Sequence, residues 1–184
     1  MVADGDGNIV TIASTLAHGF GSGIMVPEYG IMVNNTHHLM DFTPGGIHEL
    51  QPHKHRPSGM CPTIVFENGK PLLTLGAAGG ASIPAATYQV ILNVLEYGMD
   101  LPAAYAEPRV QGDVIEGEGD PPLDEREVSL EPGVPEDAAD DLAERGHRLD
   151  IDSGYIGALQ ALTIEDGEYV GVGSYRRNGH AEGL

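Results

Sequence analysis

The sequence of 184 residues predicts an α/β fold built from α+β layers, and it argues against a βαβ wind. The predicted elements follow one another as strands, a pair of helices, a third helix and further strands. Two local patterns carry this prediction. Asn68-Gly69 lies between two apolar runs, which is a strong hairpin signal. Residues 88–95 place Tyr, Ile and Leu side chains at helical spacing.

The first sixty residues are predicted to be irregular apart from two short strands. Residues 8–14 (NIVTIAS) and 31–33 (IMV) are apolar runs of strand length. The glycine-rich segment HGFGSG at 18–23 indicates a loop in which the backbone passes close to another group. Residues 35–60 show no hydrophobic period, and a loop of that length is usually functional or a lid.

The hairpin and the helix after it are the clearest local predictions. The arms 62–67 (PTIVFE) and 70–76 (KPLLTLG) are mainly apolar, which predicts a central position in a sheet covered on both faces. Ser82 is a good N-cap and Pro84 fits a first helical turn. Gly98 is a good C-terminal stop for that helix.

The second half is predicted to hold two helices and three strands. A short helix covers Leu101–Ala106, and residues 112–134 read as a surface connection. A further helix opens at Pro135 and closes at Arg145-Gly146, with acids first and Arg last, as the helix dipole prefers. Residues 147–173 then predict two strands, a turn at Asp166-Gly167 and a last strand.

The composition limits the classes of function. The chain has 28 acidic and 9 basic residues and a net charge of -19, so its field repels phosphate, and nucleic acid and anionic membrane surfaces are not expected partners. No apolar run of about 18 residues exists, so no membrane span is expected. No signal peptide is visible, which predicts a cytoplasmic location if Met1 is the true start. Many acids with only two lysines and few large apolar residues favour a salt-adapted organism.

Several residues could carry chemistry, and each has a plainer interpretation. The AAGG at 77–80 ends a strand and opens a helix, so its N–H groups could hold an anion or oxyanion, or it could be only a tight turn. Asp41 could hold a substrate ammonium or be a solvated acid. Ser58, beside Arg56, could bind substrate or cap a turn. Cys61, the single cysteine, excludes an internal disulfide and is expected to be a buried, inert thiol.

Five histidines lie within residues 37–55 and raise the question of a metal. These are His37, His38, His48, His53 and His55. They lack a companion cysteine and an HExxH pattern, so solvated or hydrogen-bonded side chains are the expectation. We therefore expect no metal and no cofactor, with a metal-binding module as an alternative.

Long stretches of the chain resemble one known family. The segments are DGDGNIVTIASTLAHGFGSGIMVPEYGIMVNN, HKHRPSGMCPTIVFENGKPLLTLGAAGG, YQVILNVLEYGMDLPAAYAEPRVQGD and GSYRRNGHAEG. In this order and with few gaps, they resemble the small catalytic subunit of gamma-glutamyltransferase, also called gamma-glutamyl transpeptidase or glutathione hydrolase. The resemblance covers nearly the whole chain.

The resemblance implies a fold and a reaction. The fold is that of the Ntn-hydrolases, an αββα sandwich, of which residues 1–184 would be the C-terminal, small-subunit portion and a single domain. An N-terminal Thr attacks a gamma-glutamyl amide such as glutathione, and its own α-amine serves as base. Water or an amino acid then takes the acyl group. A large subunit, or a second copy on the same surface, is the implied partner.

The resemblance also assigns roles to residues of this chain. Thr15 would orient the nucleophile, and Gly79 and Gly80 would donate to the oxyanion. Asp41 would grip the substrate α-amine and Ser58 its α-carboxylate. Two departures from the family pattern are Gly59, where a second serine is usual, and Ala17, where Asn is usual.

The nucleophilic Thr itself would lie a few residues before Met1. By this resemblance the 184 residues alone are expected to be inactive, because Thr11 and Thr15 are internal and have no free amine. The alternative function is a non-catalytic protein that binds gamma-glutamyl compounds or a partner subunit.

Overall fold

A computed structural model describes residues 1–112, 126–151, 153–165 and 167–183. The chain divides into two compact units. Unit 1 consists of Met1–Ile12 and Met60–Leu184, and unit 2 of Ala13–Gly59. The assignment of residues 1–184 to a single domain stays a prediction.

The strands and helices follow in this order. The strands are β1 (Val2–Ala3), β2 (Ile9–Val10), β3 (Met25–Val26), β4 (Ile31–Met32), β5 (Thr63–Glu67), β6 (Lys70–Ala78), β7 (Val110–Gly112), β8 (Glu127–Leu130), β9 (Arg148–Ile151), β10 (Ala158–Glu165) and β11 (Glu168–Val172). The helices are α1 (Ile83–Leu95), α2 (Leu101–Ala106) and α3 (Glu136–Glu144).

The main sheet of unit 1 has the order β11-β10-β6-β5, and every neighbouring pair is antiparallel. The predicted β5–β6 hairpin forms around Asn68 and Gly69, whose φ angles of 50° and 79° are those of a left-handed turn. The prediction that both arms are central is half wrong. Strand β6 lies between β5 and β10, but among the strands of the described residues β5 is an edge strand, and Phe66 in it is 61% exposed.

The core lies between this sheet and the helices α1 and α2. It is formed by Leu73, Leu75, Ala86, Val90, Leu101, Tyr105, Leu159 and Ala161. The helix predicted from residues 88–95 forms, but the face that it buries is Ile83, Ala86, Thr87 and Val90. Tyr88 is 62% exposed, because the small side chain at position 86, and not the aromatic ring, faces the sheet. The predicted helix Leu101–Ala106 has those bounds and is capped by the Asp100 side chain.

A second sheet of unit 1 differs from the prediction. Its order is β7-β8-β9, with β8 antiparallel to β7 and parallel to β9. Helix α3 connects β8 to β9, so the chain does contain one βαβ unit. Strand β8 also lies inside the segment 112–134 that was predicted as a surface connection. Residues 113–125 of that segment, and Asp166 of the predicted turn, lie outside the described residues.

Unit 2 has little regular structure, as predicted for residues 35–60. It contains the two-residue strands β3 and β4, a 3-10 helix at Thr36–Leu39 and one bridge between Asp41 and Glu49. The predicted strand 8–14 is shorter than expected, since only Ile9 and Val10 pair, with β1. Within the described ranges, no helix is long and apolar enough to cross a membrane.

Candidate functional site

The turn between β6 and α1 is built from two glycines with unusual backbone angles. Strand β6 ends at Ala78, and Gly79 and Gly80 follow with φ angles of 144° and 62°. Side chains with a Cβ rarely adopt such angles. A 3-10 turn at Gly80–Ser82 then leads directly into α1. The backbone path therefore favours glycine at positions 79 and 80.

The two glycines face different surroundings. A Cβ on Gly79 would lie 2.5 Å from Ser82 Oγ and 3.1 Å from Gly157 Cα. A Cβ on Gly80 would meet no atom within 4 Å. Gly79 is thus fixed by packing, whereas Gly80 borders open space that a ligand could enter.

The hydrogen bonds of this turn hold its carbonyl and leave its amides available. The Gly79 carbonyl accepts from Ser82 Oγ at 2.8 Å and from Ser82 N at 3.3 Å. Ser82 occupies the predicted N-cap position, but its hydroxyl makes no capping bond to the helix. Among the described residues, neither the Gly79 nor the Gly80 N–H donates to a protein acceptor. Two such amides at the start of a helix can hold an anion or an oxyanion.

Gly157 packs against the glycine turn and α1. Its φ is 65°, and a Cβ there would lie 2.5 Å from Ala86 Cβ. Three small residues, Gly79, Ala86 and Gly157, therefore allow the turn, α1 and the start of β10 to approach closely. The carbonyls of Ile156 and Gly157 in turn accept from Arg109 Nη1 at 3.0 and 2.9 Å.

Arg109 belongs to a buried charged cluster with Glu131 and Arg176. Arg176 donates to Glu131 through Nε at 3.1 Å and Nη2 at 2.7 Å, with both side chains 2% exposed. Both arginines also donate to the Tyr105 carbonyl. Charges this deep persist only when paired and hydrogen-bonded, so the cluster fixes the segments that it joins.

The two arginines respond differently to burial. Desolvation, with the nearby positive charge of Arg176, lowers the pKa of Arg109 below its usual value. Burial also lowers the pKa of Arg176, but its hydrogen bonds to Glu131 and the charge of that carboxylate outweigh this and raise the pKa above its usual value. Guanidinium groups stay charged at neutral pH, so the cluster carries two positive charges and one negative.

A small cavity of about 120 Å³ opens beside the glycine turn. Its walls are Ala78, Gly79, Ser82, Tyr155, Gly157, Ala158, Arg176 and Arg177. Arg176 is committed to Glu131. Within the described part of the chain, the Arg177 side chain makes no hydrogen bond or ion pair. The cavity thus combines the glycine turn with a cation that has no acidic partner.

The β1–β2 hairpin lies over strand β6. A Cβ on Gly76 would lie 3.6 Å from Thr11 Oγ1 and 3.9 Å from Met1 Cε. Tyr169 of β11 donates its hydroxyl to the Asp4 carbonyl at 2.8 Å. Met1 and Thr11, which flank this hairpin, therefore lie close to Gly76 of β6.

The other residues assigned from the sequence lie in unit 2. Thr15 is exposed, and its Oγ1 accepts from Ala17 N at 2.9 Å, in a turn where Ala17 has a φ of 72°. Asp41 is exposed and its Oδ1 accepts from Thr43 N at 2.7 Å. Ser58 is exposed and makes a contact of its own. The roles assigned to these three residues from the sequence stay predictions.

The histidines and Cys61 show local contacts. Among the described residues, no group of three or more His, Cys, Asp or Glu side chains is close enough to hold a metal ion. The rings of His18 and His38 lie 4.4 Å apart, and His38 Nδ1 bonds the Asn35 carbonyl at 2.6 Å. Cys61 Sγ lies 3.5 Å from Thr87 Oγ1 of α1.

Gly157, Arg109, Glu131, Arg176 and Arg177 were not singled out from the sequence. One signal was available, because seven arginines against two lysines in so acidic a chain is unusual. Guanidinium groups suit buried pairing and bidentate binding better than ammonium groups do. Glu131 lies 22 residues from Arg109 and 45 from Arg176, and Gly157 lies 48 residues from Arg109, so spacing alone could not reveal these contacts.

Comparisons with known proteins identify the family. Residues 1–184 match the family described as Gamma-glutamyltranspeptidase. The glutathione hydrolase proenzyme of Bacillus subtilis strain 168 is 40% identical over 185 residues, which cover 100% of this chain and 30% of that protein. The chain thus spans about a third or less of the length of the curated relatives that it matches.

Solved structures agree with this match. A gamma-glutamyltranspeptidase from Pseudomonas nitroreducens, in complex with L-DON, has a TM-score of 0.84 at 26% identity and covers 100% of this chain and 97% of that one. A cephalosporin acylase from Bacillus halodurans has a TM-score of 0.77 at 29% identity, over 92% of this chain and 31% of that one. The predicted Ntn-hydrolase-like fold of helices and sheets is confirmed, and the chain belongs to the gamma-glutamyltranspeptidase family.

Proposed function

We propose that these 184 residues form the small-subunit region of an enzyme that cleaves gamma-glutamyl amides such as glutathione and passes the acyl group to water or to an amino acid. The observation that carries the proposal is the Gly79-Gly80 turn, with two free amides, inside a chain that matches the family from end to end. The 40% identity to a glutathione hydrolase supports the choice of reaction.

Each proposed role follows from the chemistry of a side chain or backbone group. The Gly79 and Gly80 amides stabilise the oxyanion of the tetrahedral intermediate, a kind of contact that contributes about 3–4 kcal/mol per donor. Thr15 orients the attacking hydroxyl, since its own O–H is a donor while its oxygen accepts from Ala17 N. Asp41 holds the substrate α-ammonium, and Ser58 hydrogen-bonds its α-carboxylate.

The attacking hydroxyl is proposed to come from a Thr placed just before β1. Support comes from Met1 and Thr11, whose side chains lie close to Gly76, in the last part of β6 before Gly79. A nucleophile placed just before Met1 would then lie near β6, the strand that is followed by the proposed oxyanion donors. The 184 residues alone are then expected to release no product from a gamma-glutamyl anilide.

The test uses what we call the complemented enzyme, in which these residues replace the matching part of the Bacillus subtilis relative after its nucleophilic Thr segment. Gly80→Leu should lower kcat for gamma-glutamyl-4-nitroanilide by about a hundredfold with little change in KM, because the side chain would fill the space beside the oxyanion donors.

A matched control exists in the same unit. Gly98 has a φ of 64°, close to the 62° of Gly80, and a Cβ there also meets nothing within 4 Å. Gly98→Leu carries the same backbone strain and should leave kcat within about threefold, as expected of a surface change. Equal losses in the two variants, or turnover by the unaided chain, would contradict the proposal.

The exposed apolar side chains of unit 2 are evidence for a partner subunit. Ile47, Phe20, Tyr29 and Phe42 are 85%, 79%, 77% and 76% exposed. Large exposed apolar side chains in such number mark a surface that a partner covers. We propose a large subunit of the same family, and a second copy of this chain is the alternative. Sedimentation of the chain with and without the large-subunit region of the Bacillus subtilis relative distinguishes the two.

We further propose that the protein comes from a salt-adapted organism. The net charge of -19 supports this, and α3 alone carries five acids in nine residues. Self-repulsion among exposed carboxylates is screened over about 10 Å at 0.1 M salt and about 3 Å at 1 M. The melting temperature should therefore rise steadily from low to molar KCl, and a flat series would refute the proposal.

A further inference from the structure

A second cavity of unit 1 lies at the end of the main sheet that is remote from the glycine turn. Its volume of about 450 Å³ falls within the range of about 300–1,000 Å³ that is typical of small-molecule pockets. Strand β10 begins at Ala158, beside the glycine turn, and reaches this remote cavity at Thr163. At about 3.4 Å per residue these two positions are roughly 17 Å apart. The remote cavity is therefore separate from the proposed oxyanion donors.

The wall of the remote cavity contains a buried polar side chain. Thr163 is 5% exposed and shares a face of β10 with Leu159 and Ala161, which belong to the core. Its hydroxyl makes no hydrogen bond with any residue that the structure describes. A hydroxyl withdrawn from water without a partner destabilises the fold. Because Thr163 lines the remote cavity, a ligand bound there would supply the missing partner.

The other walls restrict the chemistry of that ligand. Hydrocarbon surface comes from Leu72, Val94, Leu101 and Val170. The charged side chains of this wall, within the described residues, are the three acids Glu67, Asp100 and Glu165. The Asp100 carboxylate already caps α2 by accepting from Ala103 N. The carboxylates of Glu67 and Glu165 form no ion pair with a described residue, so they attract cations and repel anions.

We propose that the remote cavity binds a primary amine carried on an apolar body, such as an aromatic ring on a short chain. The apolar body lies against the hydrocarbon wall, and the ammonium group donates to Thr163 Oγ1. An ammonium has three donors, so it can bond the hydroxyl and a carboxylate of Glu67 or Glu165 at the same time. The inference goes beyond the proposed function and does not depend on it.

Titration calorimetry of the 184-residue chain tests the ligand class. The titrations are made in 1 M KCl, where screening over about 3 Å suppresses the general attraction of cations to a chain of charge -19. The probe is 2-phenylethylamine. Its matched ligands are 2-phenylethanol, which has the same apolar body without the charge, and 3-phenylpropionate, which is negative. The amine should bind at least about tenfold more tightly than the alcohol, because a hydrogen bond from a charged donor is the stronger one, and the propionate should not bind. Equal affinity for amine and alcohol, or no binding of the amine, would overturn the inference.

Substitution of Thr163 tests the central contact. Thr163→Val should weaken binding of 2-phenylethylamine about tenfold. It should also raise the melting temperature of the ligand-free chain by a few degrees, because an unpaired buried hydroxyl is replaced by a methyl group. Thr163→Ser keeps the hydroxyl and should keep most of the affinity. A purely structural role for Thr163 would not combine weaker binding with higher stability. Unchanged affinity in Thr163→Val would contradict the proposal.

Substitution of the two unpaired acids tests the charge. The double variant Glu67→Gln and Glu165→Gln should weaken amine binding about fivefold in 0.1 M KCl, the scale of two exposed ion pairs. The matched control is Glu28→Gln with Glu144→Gln, which removes the same charge from exposed positions that do not line the remote cavity. The control should leave the Kd within about twofold. Equal weakening in the two double variants would show general attraction and overturn the inference.

Amide NMR signals locate the bound amine. Addition of 2-phenylethylamine should shift the signals of Thr163 and Leu101, which line the remote cavity, and leave that of Gly79 in place. Shifts at Gly79 as large as those at Thr163 would put the amine in the other cavity and contradict the proposal. None of these measurements needs turnover, so loss of the proposed function would leave this inference standing. Equally, a failure to bind the amine would leave the proposed function standing.

Discussion

Units 1 and 2 differ in how they use their apolar residues. Unit 1 buries Leu73, Leu75 and Leu159 completely between a four-stranded sheet and two helices. In unit 2, all of whose residues are described, Met40 is the one buried hydrophobic side chain. Unit 2 is thus continuous in sequence with the well-packed unit 1, yet it forms no hydrophobic core of its own. Unit 2 keeps its shape by turns and local hydrogen bonds, and most of its large apolar side chains stay exposed.

Breaking the buried charge cluster should cause the largest loss of stability in unit 1. Glu131→Ala leaves Arg176 buried without its counter-charge, so unfolding of unit 1 should become easier by about 3–5 kcal/mol in denaturant titrations. Asp141→Asn removes an acid from the exposed pair with Arg145 and should cost at most about 0.5 kcal/mol. Similar losses for both variants would contradict the role given to burial.

Core truncation tests the same contrast with neutral side chains. Leu75→Ala should lower the stability of unit 1 by about 2–5 kcal/mol, since Leu75 is 0% exposed. Ile47→Ala in unit 2 should change the stability of the isolated chain by less than about 0.5 kcal/mol, since Ile47 is 85% exposed. Ile47→Ala should instead weaken assembly with the large-subunit region, measured by sedimentation. A large loss of stability in the isolated chain would show that Ile47 is already covered.

Two crowded glycines sharpen the comparison at the level of the backbone. Gly157→Ala puts a Cβ 2.5 Å from Ala86 Cβ at a φ of 65°, and should destabilise unit 1 by about 2 kcal/mol. Gly21→Ala puts a Cβ into the Val33 carbonyl of unit 2 at a φ of 57°. It should raise the rate at which proteases cut residues 13–59 without moving the denaturation midpoint of unit 1. A shared loss of both properties would show that the units unfold together.

The smallest effect is expected at the exposed turn that joins β1 to β2. Hydrogen bonds from the Asn8 side chain and backbone lower the pKa of Asp4 below its usual 3.8. A lowered pKa stabilises the fold above the unfolded-state value, and the gain is lost as the pH falls through the folded-state value. Asp4→Asn should therefore lower the melting temperature slightly at pH 7, and the gap should close at pH below about 3.8.

The control for that variant is Asp6→Asn in the same turn. Within the described residues the Asp6 carboxylate accepts none of these hydrogen bonds, and its own N–H donates to Asp4. Asp6→Asn should therefore lower the melting temperature at pH 7 by less than Asp4→Asn does. If the melting temperature of Asp4→Asn stayed below that of the unchanged protein in acid, the loss would come from altered hydrogen-bond geometry and not from the lost charge.

Local signals were enough to predict much of unit 1. Asn68-Gly69 specified its turn because both positions need a positive φ, and the short helix predicted over Leu101–Ala106 has those bounds. The spacing of residues 88–95 predicted α1, but it did not show that Ala86 would be buried against Gly157 while Tyr88 stays exposed. The parallel pairing of β8 with β9 was missed because β8 has only four residues, and its pairing depends on a partner 21 residues away.

The candidate site was predictable only in part. The AAGG sequence predicted a turn whose amides could be free, because two glycines between a strand and a helix are typical of a tight turn. The support by Gly157, the Arg109 contacts and the cavity at Arg177 depend on pairings made by the fold across the chain. The roles of Thr15, Asp41 and Ser58 come from the family resemblance and remain to be tested.

The order of strands in the main sheet has a consequence for folding kinetics. Hairpins β5–β6 and β10–β11 are each local, but they join through the β6–β10 pair, whose partners Ala78 and Ala158 are 80 residues apart. Closing so long a loop is slow relative to forming either hairpin, so the two hairpins should form first and dock late. Gly79 meets Gly157 only at that docking step. The Gly79-Gly80 turn is therefore expected to be among the last parts of the molecule to take its final shape, and a partly folded chain would lack it.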